Sequence, residues 1–105
     1  MPQSENGGRS YHVEGSGIIA KALRRIQHQA NEEGRGVKVL AAIRHFYQRL
    51  RKDPSRFGEE LYRLPAMRMQ IRCAVVLPLV VHFGVCEDRP TVYLKGVKLL
   101  PEPAA

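Results

Sequence analysis

The sequence predicts an α+β fold in which a short strand, a two-helix hairpin and a three-strand antiparallel meander follow one another, with both helices on one face of the sheet. Two observations carry this prediction. Apolar residues recur at helical spacing through the first half of the chain, and from residue 67 onward their period changes to two, as in a half-buried strand. A sheet of this kind needs a cover for its apolar face, and the two amphipathic helices supply it.

Both predicted helices have start and stop signals. Ser16 is a suitable N-cap for the first helix, which Gly34 and Gly36 end. The second helix follows directly and ends before Pro54, because the residue preceding a proline disfavours the α conformation. So short a connection makes the helices antiparallel neighbours. Their apolar stripes are Ile18, Ile19, Ala22, Leu23, Ile26 and Ala30 in the first helix, and Val37, Leu40, Ala41, Ile43, Tyr47 and Leu50 in the second.

The remaining segments complete one domain, which is predicted to span residues 11–101. Residues 1–10 are polar and hold two glycines, so they are predicted to be a flexible tail, with a second short tail at residues 102–105. Residues 11–13 are predicted to be a short strand and residues 55–65 a loop. The meander begins at residue 67, and its turns are expected at residues 76–78 and 87–90.

The pairing of the first two meander strands decides which side chains face away from the helices. A three-residue loop at residues 76–78 places Arg72 opposite His82 and Arg68 opposite Cys86. Cys73 and Cys86 then point to opposite faces and cannot form a disulfide with each other. The residues predicted to face the helices are Met67, Met69, Ile71, Cys73 and Val75. The open face is predicted to carry Arg68, Gln70, Arg72, His82, Tyr93 and Lys95, joined by Lys98 if Gly96 marks a bulge.

The charge balance indicates a polyanionic partner. Seventeen Lys and Arg against ten Asp and Glu give a net charge of +7, and residues 21–72 alone carry thirteen basic and five acidic side chains. Such a field attracts nucleic acids or acidic proteins, although a solvated basic surface is the alternative. The longest apolar run has eight residues, too few to span a membrane, and a cytoplasmic location is expected. The four histidines show no metal-ligand spacing and no cofactor fingerprint is present, so neither metal nor cofactor is predicted.

The predicted open face has the residue types that a ribonuclease needs. Arginines hold phosphate oxygens through paired N–H groups. A histidine such as His82 moves a proton near neutral pH, and a tyrosine such as Tyr93 stacks on a base or donates a proton. The alternative is a solvent-facing sheet surface with ordinary cross-strand pairs.

The order of elements and two stretches of sequence resemble the RelE/ParE toxin superfamily over residues 11–101. The first stretch runs from the end of the second helix through two strands and reads LRKDPSRFGEELYRLPAMRMQIRCAVVLPLVVHFGVCED. The second, PTVYLKGVKLL, resembles the last strand of the family. The resemblance implies a toxin of a type II toxin–antitoxin system that is neutralised by an acidic protein antitoxin. RelE-type members are metal-independent, ribosome-dependent mRNA endoribonucleases, whereas ParE-type members poison DNA gyrase.

The resemblance also implies roles for individual residues. Arg68 and Arg72 match the basic positions of the family's strand, and Lys98 is nearest to the basic residue at the end of its last strand. Gln70 stands where a further basic residue is common, and the chain ends in LLPEPAA without the usual C-terminal tyrosine or histidine. His82 or Tyr93 would replace that group. Together, the resemblance and the predicted open face give Arg68, Arg72, His82, Tyr93 and Lys98 for catalysis, and Arg68, Gln70, Arg72 and Lys95 for nucleic-acid binding. The departures fit better with a ParE-like toxin that binds a protein, with a divergent member of the superfamily, or with a basic binding domain that has lost activity.

Overall fold

The computed structural model describes residues 10–102 and shows two helices beside one sheet of five strands. The predicted tails, residues 1–10 and 102–105, lie almost entirely outside the described residues. The strands are β1 (His12–Glu14), β2 (Glu59–Leu64), β3 (Met69–Val76), β4 (Leu79–Cys86) and β5 (Thr91–Leu99), and the helices are α1 (Gly17–Glu32) and α2 (Gly36–Lys52). The predicted α+β class is confirmed. Within residues 10–102 neither helix is long and apolar enough to cross a bilayer.

The sheet has the strand order β1-β5-β4-β3-β2, with β1 parallel to β5 and every other neighbouring pair antiparallel. The predicted three-strand meander is present as β3, β4 and β5, and the short strand predicted at residues 11–13 is present as β1, but one further strand was not predicted. Residues 55–65, predicted to be a loop, contain β2, and β1 joins the other edge. Because five of the six residues of β2 are exposed, its sequence shows no alternation of apolar and polar side chains.

The helix boundaries follow the predicted signals. The Oγ of Ser16 accepts a hydrogen bond from the backbone N–H of Ile19 at 3.3 Å, as an N-cap does. Gly34, in the inter-helix connection, has φ +76°, a conformation that favours glycine. The second helix ends at Lys52, just before Asp53 and Pro54. Local chemistry therefore determines both helix lengths.

One hydrophobic core lies between the helices and the sheet. The stacked rings of Phe57 and Phe83, whose centroids are 5.7 Å apart, join the segment after α2 to β4. Phe46 and Leu50 of α2 are completely buried, and burial of each such side chain contributes roughly 1.5–3 kcal/mol. The other core residues are Ile19, Ile26, Ala30, Val39, Ala42, Ala74, Leu79, Val81, Val85, Val92 and Leu94.

The predicted pairing of β3 with β4 is wrong by one residue. The turn contains only Leu77 and Pro78, since Val76 already pairs with Leu79. A shift of one residue exchanges the two faces of a strand. Consequently Met69 and Ile71, predicted to face the helices, form a separate cluster with Cys86 on the opposite side of the sheet.

The same shift changes the positions of the cysteines. Cys73 pairs with His82 and Cys86 pairs with Met69, so both thiols lie on the face away from the helices, contrary to prediction. Cys73 lies four positions along β3 from Met69, so the two thiols are roughly 13 Å apart along the sheet. Both cysteines are free, for this reason rather than for the predicted one.

Candidate nucleic-acid interface

Arg72, predicted to lie on the open face, points to the helix side of the sheet and is only 7% exposed. It pairs with Phe83, a core residue. Its Nε donates to the carbonyl oxygen of Phe57 at 3.0 Å, and its Nη2 donates to that of Gly58 at 3.0 Å. Its Nη1 donates to Oε1 of Gln70 at 3.1 Å. The Nε and Nη2 thus hold the segment between α2 and β2, while the Nη1 binds a side chain of the same strand.

Gly58 makes this arrangement of carbonyl groups possible. Its φ of +70° lies in the left-handed region, and a Cβ there would collide with the carbonyl oxygen of Cys73. Gln70 faces the same way as Arg72, because it pairs with the core residue Val85. The prediction that Gln70 and Arg72 lie on the open face is therefore wrong.

Three of the other predicted residues do share the face away from the helices. Lys98 pairs with Val80, His82 pairs with Gly96, and Tyr93 pairs with Gly84. Lys98 and Tyr93 are thus diagonal neighbours of His82, at a spacing of about 7–8 Å. The space over Gly96, the partner of His82, is open, because a Cβ added there would meet nothing within 4 Å.

A bulge in β5 explains why Lys98 is on this face. The pairing shifts between His82 and Phe83, whose partners are Gly96 and Leu94, so that Lys95 is the extra residue. The predicted bulge at Gly96 is therefore confirmed, one residue away from the predicted position. Lys95 itself is exposed at the bulge.

Arg68 lies far from Lys98, the predicted catalytic cation of the open face. It precedes β3 in a left-handed conformation with φ 49°, its side chain is 71% exposed, and its Nη1 is 4.0 Å from an oxygen of Asp88. The next residue, Met69, pairs with Cys86, whereas Lys98 pairs with Val80. Six residues of β4 therefore separate Arg68 from Lys98, or roughly 20 Å of strand. That distance is too long for the two cations to hold one phosphate group.

The open face can consequently perform only part of the predicted chemistry. His82 can accept a proton and Lys98 can hold a phosphate oxygen. The arginines that would stabilise charge developing on a reacting phosphate are absent from this place, because Arg72 is buried and Arg68 is distant. Much of the remaining face is apolar, with Met69, Ile71, Val75 and Val80 on β3 and β4.

The largest group of accessible cations lies on the outer faces of the two helices. We name it the helix-pair basic surface; its members are Lys21, Arg24 and Arg25 of α1 and Lys38, Arg44, Arg51 and Lys52 of α2, all exposed. None of them lies within 4.0 Å of a carboxylate oxygen in residues 10–102. The sequence indicated this surface through the net charge of residues 21–72, but did not identify it as the site.

Two other helix-region arginines are structural and do not belong to this surface. Arg35 is 7% exposed; its Nη2 donates to the carbonyl oxygen of Leu100 at 2.6 Å and its Nη1 to Glu33 at 2.8 Å. Its position links the inter-helix connection to the end of β5. Arg49 forms an ion pair with Asp53 at 2.8 Å. The i,i+4 spacing of Arg49 and Asp53 is a local signal for their ion pair, whereas the Leu100 acceptor of Arg35 lies 65 residues away and leaves no local signal.

The histidine, cysteine and acidic side chains of residues 10–102 include no group of three that could hold a metal ion.

Comparisons with protein-family models, with curated proteins and with solved structures found no match for this chain.

Proposed function

We propose that this chain is a RelE/ParE-like toxin-type protein that binds RNA through the helix-pair basic surface, and that it acts by occupying its target without cutting it. The observation that carries the proposal is the set of seven exposed helix cations without a carboxylate partner among residues 10–102. Such cations displace the counterions of a phosphate backbone, and arginine also binds phosphate oxygens in pairs.

The order of elements supports the toxin-type assignment. A short strand, two helices and antiparallel strands follow one another, as the resemblance to the superfamily implies. We place the target among the RNAs of the translating ribosome, since the RelE-type members that the chain resembles act there.

The positions of the arginines favour binding over cleavage. Cleavage would require several cations around one phosphate, with a proton acceptor beside it. Arg72 is engaged by three protein oxygens, and Arg68 is separated from Lys98 by roughly 20 Å. Of the implied catalytic set, His82, Lys98 and Tyr93 share one face, and no arginine of the set lies beside them.

The binding surface is tested by salt dependence. The affinity for a fluorescent single-stranded RNA is measured by anisotropy at about 50–200 mM salt, where the slope of log affinity against log salt is about −0.7 per phosphate contacted. We expect Lys21→Gln with Arg24→Gln to make the slope shallower by about 1.4. The matched control, Arg68→Gln with Lys98→Gln, removes the same charge from the sheet side and should leave the slope unchanged. Equal effects of the two pairs would show that net charge alone drives binding and would refute the assigned surface.

The toxin-type action is tested by induced expression, with growth and mRNA integrity followed in the same cultures. Growth arrest with intact mRNA is the expected result. Normal growth would contradict toxin action. New cleavage sites inside translated codons would contradict the binding-only mechanism and would lead back to His82 and Lys98 as catalytic groups.

A second candidate, a protein partner such as an acidic antitoxin or gyrase, is favoured by apolar side chains among the cations of α2. Val37 is 86% exposed and Leu40 is 42% exposed. A groove of about 520 Å³ follows on the same helix, lined by Ile43, Arg44, Tyr47, Gln48 and Arg51. Exposed apolar groups beside cations suit an acidic amphipathic partner better than a phosphate backbone. Leu40→Ser should then weaken capture of the acidic partner without altering the salt slope for RNA.

A further inference from the structure

We propose that a groove at the opposite end of the sheet from the β3–β4 turn binds a nucleotide, with its base against Tyr93 and two methionines and its phosphate between Arg89 and Lys95. The inference goes beyond the proposed function, because none of these residues belongs to the helix-pair basic surface. The nucleotide is either free or one unit of a single-stranded RNA.

The groove has the size of a small-ligand site. Its volume is about 730 Å³, inside the range of roughly 300–1,000 Å³ that such sites occupy. Three segments form its walls: residues 14–16 from the end of β1 to the start of α1, Met67 and Met69 just before and at the start of β3, and Arg89 with residues 93–95 before and within β5. Strand pairing fixes the positions of Glu14, Met69 and residues 93–95, and the other lining residues lie in the connections next to these strands.

A missing side chain in β4 shapes the apolar part of the groove. Gly84 pairs with Tyr93, and a Cβ added at Gly84 would collide with the sulfur of Met69. Tyr93 packs against the cluster that contains Met69, which is buried, while Met67 is 58% exposed at the rim. An aromatic ring and two thioethers thus line the same space, and both are good contacts for a flat base.

Two cations lie beside this apolar part. The Nη2 of Arg89 donates to the hydroxyl of Tyr93 at 3.4 Å, which places the guanidinium next to the ring. Lys95 is the extra residue of the bulge and is exposed; it follows Tyr93 in the sequence, whereas Arg89 precedes it. Neither cation has a carboxylate within 4.0 Å among residues 10–102, and the one carboxylate that lines the groove, Glu14, contacts His12 at 2.8 Å.

This combination selects a nucleotide over simpler ligands. A bare phosphate would leave the tyrosine and the methionines without contacts. An uncharged aromatic ligand would leave Arg89 and Lys95 unused. A nucleotide uses both parts, because its base stacks on apolar and aromatic groups while its phosphate takes N–H donors from arginine and lysine.

The experiment titrates the protein with adenosine 5′-monophosphate, adenosine and inorganic phosphate by isothermal calorimetry. We expect the monophosphate to bind at least about ten-fold more tightly than either partial ligand. Arg89→Gln with Lys95→Gln should reduce that affinity by about ten-fold or more with an unchanged midpoint of thermal unfolding, since both side chains are exposed. A monophosphate that binds no more tightly than phosphate, or a double variant with unchanged affinity, would overturn the proposal.

A second pair of measurements identifies the source of the nucleotide and separates this inference from the proposed function. If a short oligoadenylate displaces the monophosphate and binds more tightly, the source is RNA. If the oligoadenylate binds more weakly, the source is a free nucleotide. In either case Arg89→Gln must weaken the binding of the tighter ligand. Lys21→Gln with Arg24→Gln should leave monophosphate affinity unchanged. The proposal for the helix-pair basic surface is therefore tested by the salt dependence of RNA binding, and the proposal for the groove is tested separately by the monophosphate titration.

Discussion

Replacing Arg72 with alanine tests whether this residue is structural, as its position implies, or catalytic, as its match to the family pattern implies. The side chain is 7% exposed and donates to two backbone carbonyl oxygens and to one side-chain oxygen. Alanine removes all three donors and leaves the carbonyl of Phe57 buried without its partner. We therefore expect Arg72→Ala to lower the free energy of unfolding strongly.

The size of the effect follows from the environment of each bond. The buried bond to Phe57 is charge-assisted and contributes roughly 1.5–3 kcal/mol, and the two part-buried bonds contribute about 0.5–1 kcal/mol each. Relief of the desolvated charge offsets part of this sum, which leaves a loss of about 3 kcal/mol. For a domain of this size, that loss lowers the unfolding midpoint by roughly 15 °C.

Thermal and urea unfolding followed by circular dichroism measure this loss. Arg68→Ala is the matched control, because its side chain is 71% exposed and its carboxylate partner is 4.0 Å away. It should change the unfolding free energy by less than about 0.5 kcal/mol. Arg72→Lys should recover less than half of the loss, since a single ammonium cannot reach both carbonyls. The structural assignment is refuted if Arg72→Ala and Arg68→Ala unfold at the same midpoint.

Two further predictions concern the connections between elements. Gly58→Ala should lower the unfolding free energy by about 2 kcal/mol or more, because φ is +70° and the added methyl collides with the backbone of β3; in the same melts Gly96→Ala, which meets nothing within 4 Å, should be near neutral. The hydrogen bond from Gln29 and then that from Arg35 lower the pKa of Glu33, so its stabilising effect is present above the ordinary glutamate pKa and is lost as the pH falls through the lowered value. Urea unfolding of wild type and Glu33→Gln should therefore differ at neutral pH and converge in acid, and a difference independent of pH would contradict this interpretation.

The parts of the fold that follow from neighbouring residues are predictable. Ser16 begins one helix, Gly34 sits where it ends, and Pro54 follows the second, because capping, left-handed φ and the missing N–H of proline act within a few residues. The bulge beside Gly96 was predictable for a similar reason. None of these signals depends on what another part of the chain does.

The faces of β3 were not predictable, because both of them carry apolar residues. Met69 and Ile71 lie on one face of β3, and Ala74 and Val76 lie on the other. The two-residue period of apolar side chains therefore does not decide which face packs against the helices. The number of residues in the turn at Leu77 decides between them, and a difference of one residue exchanges the faces. The edge strand β2 was not predicted, because its side chains are mostly exposed and show no alternation of apolar and polar residues.

The sequence by itself determined the α+β class, the helix boundaries and the excess of positive charge. Only the tertiary structure decided which cations remain available. Arg35 and Arg72 look no different from Arg68 in the sequence, yet the first two are buried against carbonyl oxygens and the third is exposed. The physical reason is that an arginine's role depends on the acceptors that the fold brings to it, and those acceptors come from residues distant in the chain. Leu100, for example, lies 65 residues from the arginine whose guanidinium it binds.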